Sequence, residues 1–567
     1  MKFSEMPYKR PDLEEAEERA ARITKKLRNA AKYEEAREAF IEMDTEEKRL
    51  STQGNLAFIR HSIDTRVEFY DREMKFWNGA RPRFQASVQK FNQALLESPF
   101  RAQLEEEFGA VVFLNIELEN RSFAPELIPA MEEVGNLSQE YSKIIASAQI
   151  PFEGGVYTLS QLTPFKRDKD DERRLAAWMA EGRWYKEHQQ DLDRIYDRMV
   201  QLRDRMGKAL GHKDFTELGY DRMQRNCYRR EEVEKFRAAV RKYLVPVADK
   251  IYRQQAERIG VPYPLSFSDM ALEFRSGNPT PVGTEEEILA SGQVFYDALS
   301  GETGAFFKMM RENELMDVAS REGKESGGYC ETIPDYGVPF IFANFNGTQG
   351  DVEVVTHEAG HAFADYMNRD RIPASTVWPS LEGCEVHSMS MEFFAWPWAE
   401  LFFGADTQKY LYSHLASALK FIPYGTMVDH FQHEVYDRPE MTPAERHGVW
   451  KRLLGVYMPW VSLDGEIPFY SEGEGWQRQH HIYNYPYYYI DYCLAQTVSL
   501  EFWAMIQKDV RAAWDKYMAY TSLGGSEVFT DLLKKAGLTS PFDEECLQKV
   551  SQAAAEWLDA FDESELA

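Results

Sequence analysis

Through most of this chain, apolar residues recur at three- and four-residue spacing with charged residues between them, the pattern of amphipathic helices. Over residues 12–48 it predicts one or two long charged helices, with pairs such as Glu15 and Arg19 one turn apart. The pattern runs on to residue 150 with few Gly or Pro clusters, and no heptad persists long enough for a coiled coil. Residues 151–166 interrupt it with Pro, Gly and β-formers and read as a turn or short hairpin. Helices resume at Lys169, a domain boundary is expected near residue 200, and a further helix covers 230–259. Residues 266–283 are irregular, and two more helices follow.

Three stretches depart from this background. In residues 326–350, two short β-like runs are punctuated by Gly327, Gly328, Gly337 and Pro339; the second, PFIFANF, ends in the turn pair Asn346-Gly347. Such a sheet could pair main chain to main chain with an extended peptide. Residues 350–370 follow as a helix, with Asp351 expected as N-cap and Val352, Val355, Ala359, Ala362, Phe363 and Tyr366 as its apolar stripe. The helix carries His357, Glu358 and His361 in the order HExxH. Histidines four apart share a face and can bind one Zn²⁺, and the glutamate between them flanks the metal as a base for water. In LEGCEVHSMSMEFF, residues 381–394, Glu385 and Glu392 lie on one face of a largely apolar helix, and unpaired carboxylates are costly there. Glu385 is the candidate third ligand, and Glu392 the candidate partner for a ligand histidine's other ring nitrogen, with Asp365 competing for that role. The third stretch, residues 471–496, opens with SEGEGW, which reads as a glycine-hinged mobile loop, and continues through His480-His481 to six tyrosines within 483–492.

Composition narrows the function classes. A length of 567 residues suggests several domains, and 44% hydrophobic residues suffice for a large core. A formal charge of −27 argues against nucleic acid and anionic membrane as partners. The N-terminus lacks an apolar leader and no apolar run spans a bilayer, so a cytoplasmic location is expected. Five cysteines without a CxxC pair read as reduced thiols. His430 and His433, three apart, could in principle bind a second metal, but read as a paired surface or core feature.

HEAGHAF followed by EVHSMSME resembles the oligoendopeptidase F and Pz-peptidase branch of the thimet-oligopeptidase family. Ala364 and His387 depart from residues common in that branch, at positions that bear no metal. The resemblance implies one zinc per chain on His357, His361 and Glu385, with Glu358 as general base and Glu392 supporting a histidine. It places a histidine on His481 and donors to the reaction's oxyanion on Tyr489 and Tyr492, with His480 and Tyr485 as weaker candidates. It further implies a mostly α fold, two helical lobes enclosing a deep channel with a zincin-type site and a small sheet beside it. On this reading, residues 1–200 form part of the channel wall and 201–567 the catalytic domain. The expected substrates are short unstructured peptides cleaved internally. A zinc carboxypeptidase of related fold, a non-catalytic peptide-binding protein and a structural zinc site are the competing readings.

Overall fold

The structure is a computed structural model that describes residues 1–321, 323–325, 327–463, 467–562 and 566; of the β-rich stretch, only position 326 lies outside them. Among the described residues it is mostly helical, with five short strands: β1 (Ile150–Phe152), β2 (Gly155–Tyr157), β3 (Met316–Ala319), β4 (Tyr329–Ile333) and β5 (Val338–Phe345). The chain forms two compact units. Residues 1–120, 280–407 and 505–539 make the first, and 121–279, 408–504 and 540–567 the second. Neither unit ends near residue 200, which lies inside the continuous helix Asp171–Ala209. Two glycines of that helix are packing points rather than breaks. A Cβ on Gly182 would strike the Pro468 carbonyl, and one on Gly207 the Asp214 carbonyl.

In the first unit, Asp12 caps the helix Leu13–Arg28 by accepting the Glu15 N–H at 3.1 Å. Its buried face meets Phe40 and Met43 of the helix Tyr33–Ile63 and Phe91 and Leu95 of the helix Glu68–Leu96. The sheet order is β3-β5-β4, with β5 parallel to β3 and antiparallel to β4. Six of the eight β5 residues are buried, as a central strand requires. Gly347, at φ +81°, turns the chain out of β5 toward the helix Gly350–Asn368. Asp351 is not the cap of that helix; Gln349 holds the N-cap position. The Asp351 carboxylate instead accepts the Asn346 and Gly347 N–H groups at 2.9 and 2.7 Å, which fixes the strand-to-helix turn.

In the second unit, β1 and β2 form the expected hairpin. The 230–259 run is helical throughout, but as Arg230–Ala239, a π turn Val240–Leu244 and Val245–Ile259. The SEGEGW stretch is not a free loop. Trp476 is fully buried, and Glu474 is tied to the Lys186 ammonium at 2.8 Å.

Candidate functional site

The helix Gly350–Asn368 buries Val352, Val355, Ala359, Ala362 and Phe363 in the first unit, which turns His357 and His361 toward the neighbouring helix Leu381–Phe394. The two helices touch at Gly360. A Cβ there would stand 2.8 Å from Ser388 Cα and 2.9 Å from the His387 carbonyl oxygen, so only glycine permits this approach. The close crossing brings Glu385 Oε2 to 3.4 Å from His357 Nε2 and 3.4 Å from His361 Nε2. All three donor atoms lie within 4.8 Å of one another, and among the described residues no other trio of His, Cys, Asp or Glu does so. Donors about 2.0–2.1 Å from a tetrahedral zinc lie about 3.3 Å apart, so the three atoms fit one face of such a site.

Neighbouring groups hold these donors in place. Glu392 Oε1 lies 2.6 Å from His357 Nδ1, which puts the proton of the neutral ring on Nδ1 and leaves the Nε2 lone pair for a metal. The Ser388 hydroxyl donates to Glu385 Oε2 at 3.0 Å. From the helix Val510–Thr521, the Tyr517 and Tyr520 hydroxyls donate to the His387 and Gly383 carbonyls, each at 3.1 Å. Among the described residues, Asp365 pairs with neither His357 nor His361. Its carboxylate accepts the Thr332 hydroxyl of β4 at 2.9 Å, and His361 Nδ1 is buried with no hydrogen-bond partner among the described residues.

Burial, with Glu331 nearby, pushes Asp365 up to about 7. Burial also pushes Glu358 up, opposed by His357 and His361. For Glu385 burial acts in the same direction, yet the histidines outweigh it and hold the carboxyl well below its usual range. Gly328, just ahead of β4, lies beside Glu358: a Cβ there would be 3.7 Å from Glu358 Oε1. His430 and His433 have separate partners, His433 beside Asp429 and Tyr220, and His430 against the Tyr457 hydroxyl.

The other candidates gather in the second unit. The His481 ring lies 4.9 Å from that of Tyr489 and 5.8 Å from that of Tyr492, with the two tyrosines 5.6 Å apart. His480 is exposed, whereas Tyr483 and Tyr487 are core residues. Burial holds the Tyr489 phenol well above its usual range, so it is a neutral donor near pH 7. Gln479 is a support that the motif did not reveal. Its amide donates to His481 Nδ1 at 2.8 Å while its carbonyl accepts the Tyr424 hydroxyl at 2.9 Å. That leaves the proton of a neutral His481 on Nε2, where it can be donated.

Residues 3–123 match the peptidase M3 N-terminal domain and residues 301–552 match peptidase family M3. Oligopeptidase PepF of Bacillus subtilis (strain 168) is 27% identical over 252 residues, 43% of this chain; the matched stretch spans 37% of that relative's length. The chain superposes along its whole length on a PZ peptidase A solved with an inhibitor (43% identity, TM-score 0.96, 100% of both chains). It does so equally on a chain assigned as an oligoendopeptidase F from Bacillus anthracis str. Ames (41% identity, TM-score 0.92, 100% and 99% covered). This chain therefore belongs to peptidase family M3, in the branch that contains oligoendopeptidase F and PZ peptidase.

Proposed function

We propose that this protein is a zinc-dependent oligopeptidase that cleaves internal bonds of short unstructured peptides. The observation that carries the reading is the convergence of His357 Nε2, His361 Nε2 and Glu385 Oε2 within 4.8 Å, with Glu358 on the same helix as the histidines. Zinc held by these three residues would act as a Lewis acid toward water and the scissile carbonyl. Glu358 takes the proton of the attacking water and passes it to the leaving amine, a task suited to a carboxyl whose burial pushes its pKa up. An extended peptide adds to the outer edge of β4 near Gly328 and Cys330. Farther along that edge, Asn55 already occupies the Thr332 carbonyl at 2.9 Å. His481, with Tyr489 or Tyr492, donates to the oxyanion, a role supported by the family resemblance and by their clustering in the second unit.

No described helix is long and apolar enough to cross a membrane. Five free cysteines suit the reducing cytoplasm that this reading implies. The test is mass spectrometry of products from a mixed peptide pool that includes peptides blocked at both ends. Internal cleavage that a chelator abolishes and zinc restores is expected. Products trimmed only from free C-termini would replace the endopeptidase reading with the carboxypeptidase one. Glu358→Gln keeps fold and metal and loses about 10²–10⁴-fold in kcat.

A further inference from the structure

A recess of about 330 Å³ lies wholly within the second unit, lined by Lys166, Glu181, Tyr185, Tyr424, Arg478 and Tyr489. Its charge is unusual for a chain of net −27. Lys166 and Arg478 bring two cations, Glu181 one carboxylate, and both carboxylate oxygens are already engaged. Glu181 Oε2 lies 2.6 Å from the Lys166 ammonium, and Oε1 accepts the Tyr470 hydroxyl. Arg478 is exposed at the wall and makes no ion pair among the described residues; its guanidinium carbon lies 5.6 Å from the Tyr470 ring centre. Elsewhere in this protein arginines commonly face carboxylates, as Arg198 faces Glu133 and Arg230 faces Asp437. Glu181 and the Tyr424 hydroxyl act on the Arg478 guanidinium, yet the recess still carries one cation more than it has carboxylates. With three tyrosines around it, it has the make-up of a site for an organic anion: ring faces, polar tips and a planar fork of donors.

We propose that this recess binds a carboxylate of the peptide substrate, with Arg478 as its bidentate partner. A guanidinium pairs with a carboxylate through two parallel N–H···O bonds, and partial exclusion from water strengthens both. The recess is joined to the His481 cluster within the same unit. Tyr489 belongs to both, and the Tyr424 hydroxyl that faces the recess is bonded to Gln479, which in turn holds His481. A carboxylate held by Arg478 therefore fixes one point of the peptide relative to His481. The proposal deepens the peptidase reading and rests on it for the identity of the ligand. Oligopeptides offer two such groups, the terminal carboxylate and the side chains of Asp and Glu.

Four peptides of one common sequence separate the two sources: free carboxylate or carboxamide at the C-terminus, combined with Glu or Gln at one internal position. In the zinc-loaded wild type, kcat/KM is expected to favour the carboxylate member of one pair by roughly tenfold, chiefly through KM. The pair that shows the preference identifies the source. Arg478→Gln brings the ratio close to one, and Arg478→Lys, which keeps the charge without the fork, restores part of it. Calorimetric binding of the same peptides to zinc-loaded Glu358→Gln protein reads the recess without turnover. If the wild type cleaves none of the four, the peptidase reading fails, and the binding ratios still decide the role of Arg478. No preference in either pair in the wild type, or a preference that survives Arg478→Gln, overturns the proposal.

Discussion

Glu385 and Glu392 project from one helix face two turns apart and have different partners: the first faces both histidines, and the second meets the Nδ1 nitrogen of His357. Removing the outer carboxylate should loosen the ring without deleting a donor. Glu392→Gln is expected to raise the zinc Kd about 10–100-fold, measured by chelator competition; an unchanged Kd would remove Glu392 from the site. A separate carboxyl gives a pH test away from the proposed metal ligands. Burial, with Asp44 and Glu119 close by, pushes Glu47 up to about 8 from its ordinary 4.5. The folded state then holds this proton more tightly than the unfolded one. The contribution to stability is present below pH 4.5 and is lost as pH rises through about 8. Glu47→Gln should thus melt higher than wild type at pH 8.5 and close to it at pH 4.5, and parallel melting curves would contradict the assignment. The grouping of His357, His361, Glu385 and Glu392 was legible in the sequence because spacings of four and seven are helix geometry. Gln479 and Ser388 were not, because no motif marks a glutamine or serine as a support even within three residues of its partner, and the Tyr424 hydroxyl on Gln479 comes from 55 positions away. Arg478 was not, because its recess is assembled from stretches far apart in the chain.

At the scale of elements, the HExxH helix and the helix after it make the site only because they cross at Gly360. In the sequence this residue is one of the two unspecified positions of the motif, and nothing marks it as a contact. Gly360→Ala should cost about 1–3 kcal/mol through overpacking and weaken zinc binding at least about tenfold by pushing Glu385 away. Thermal melts and chelator competition read the two effects, and a variant that keeps full zinc affinity would show that the crossing does not set the donor spacing. Helix positions, the β1–β2 hairpin and β5 followed the polar pattern, since periodicity and turn residues are local signals. The SEGEGW stretch was misread for the opposite reason. Its glycines suggest freedom, but the burial of Trp476 and the pairing of Glu474 with Lys186, 288 positions away, are long-range facts. Asp351 likewise has the composition of a cap, yet its carboxylate bonds back to the preceding turn.

For the whole molecule, each unit draws on three separated stretches of chain, an organisation that no composition shift announces. The boundary expected near residue 200 failed because an uninterrupted helix carries the chain through it. The proposed metal ligands all belong to the first unit, so a ligand that binds only its folded form should protect that unit. Zinc is expected to slow amide hydrogen exchange in Gly350–Asn368 and Leu381–Phe394, with a much smaller effect in Tyr489–Ile506 of the second unit. Equal protection of all three helices would place the metal elsewhere. The most direct test of the central claim is X-ray absorption at the zinc edge on protein carrying one zinc per chain, beside Glu385→Gln. The account predicts two imidazole nitrogens, a carboxylate oxygen and one further light atom at about 2.0–2.1 Å, with tight binding lost in the variant. A sulfur neighbour near about 2.3 Å, or a coordination shell unchanged by Glu385→Gln, would contradict it.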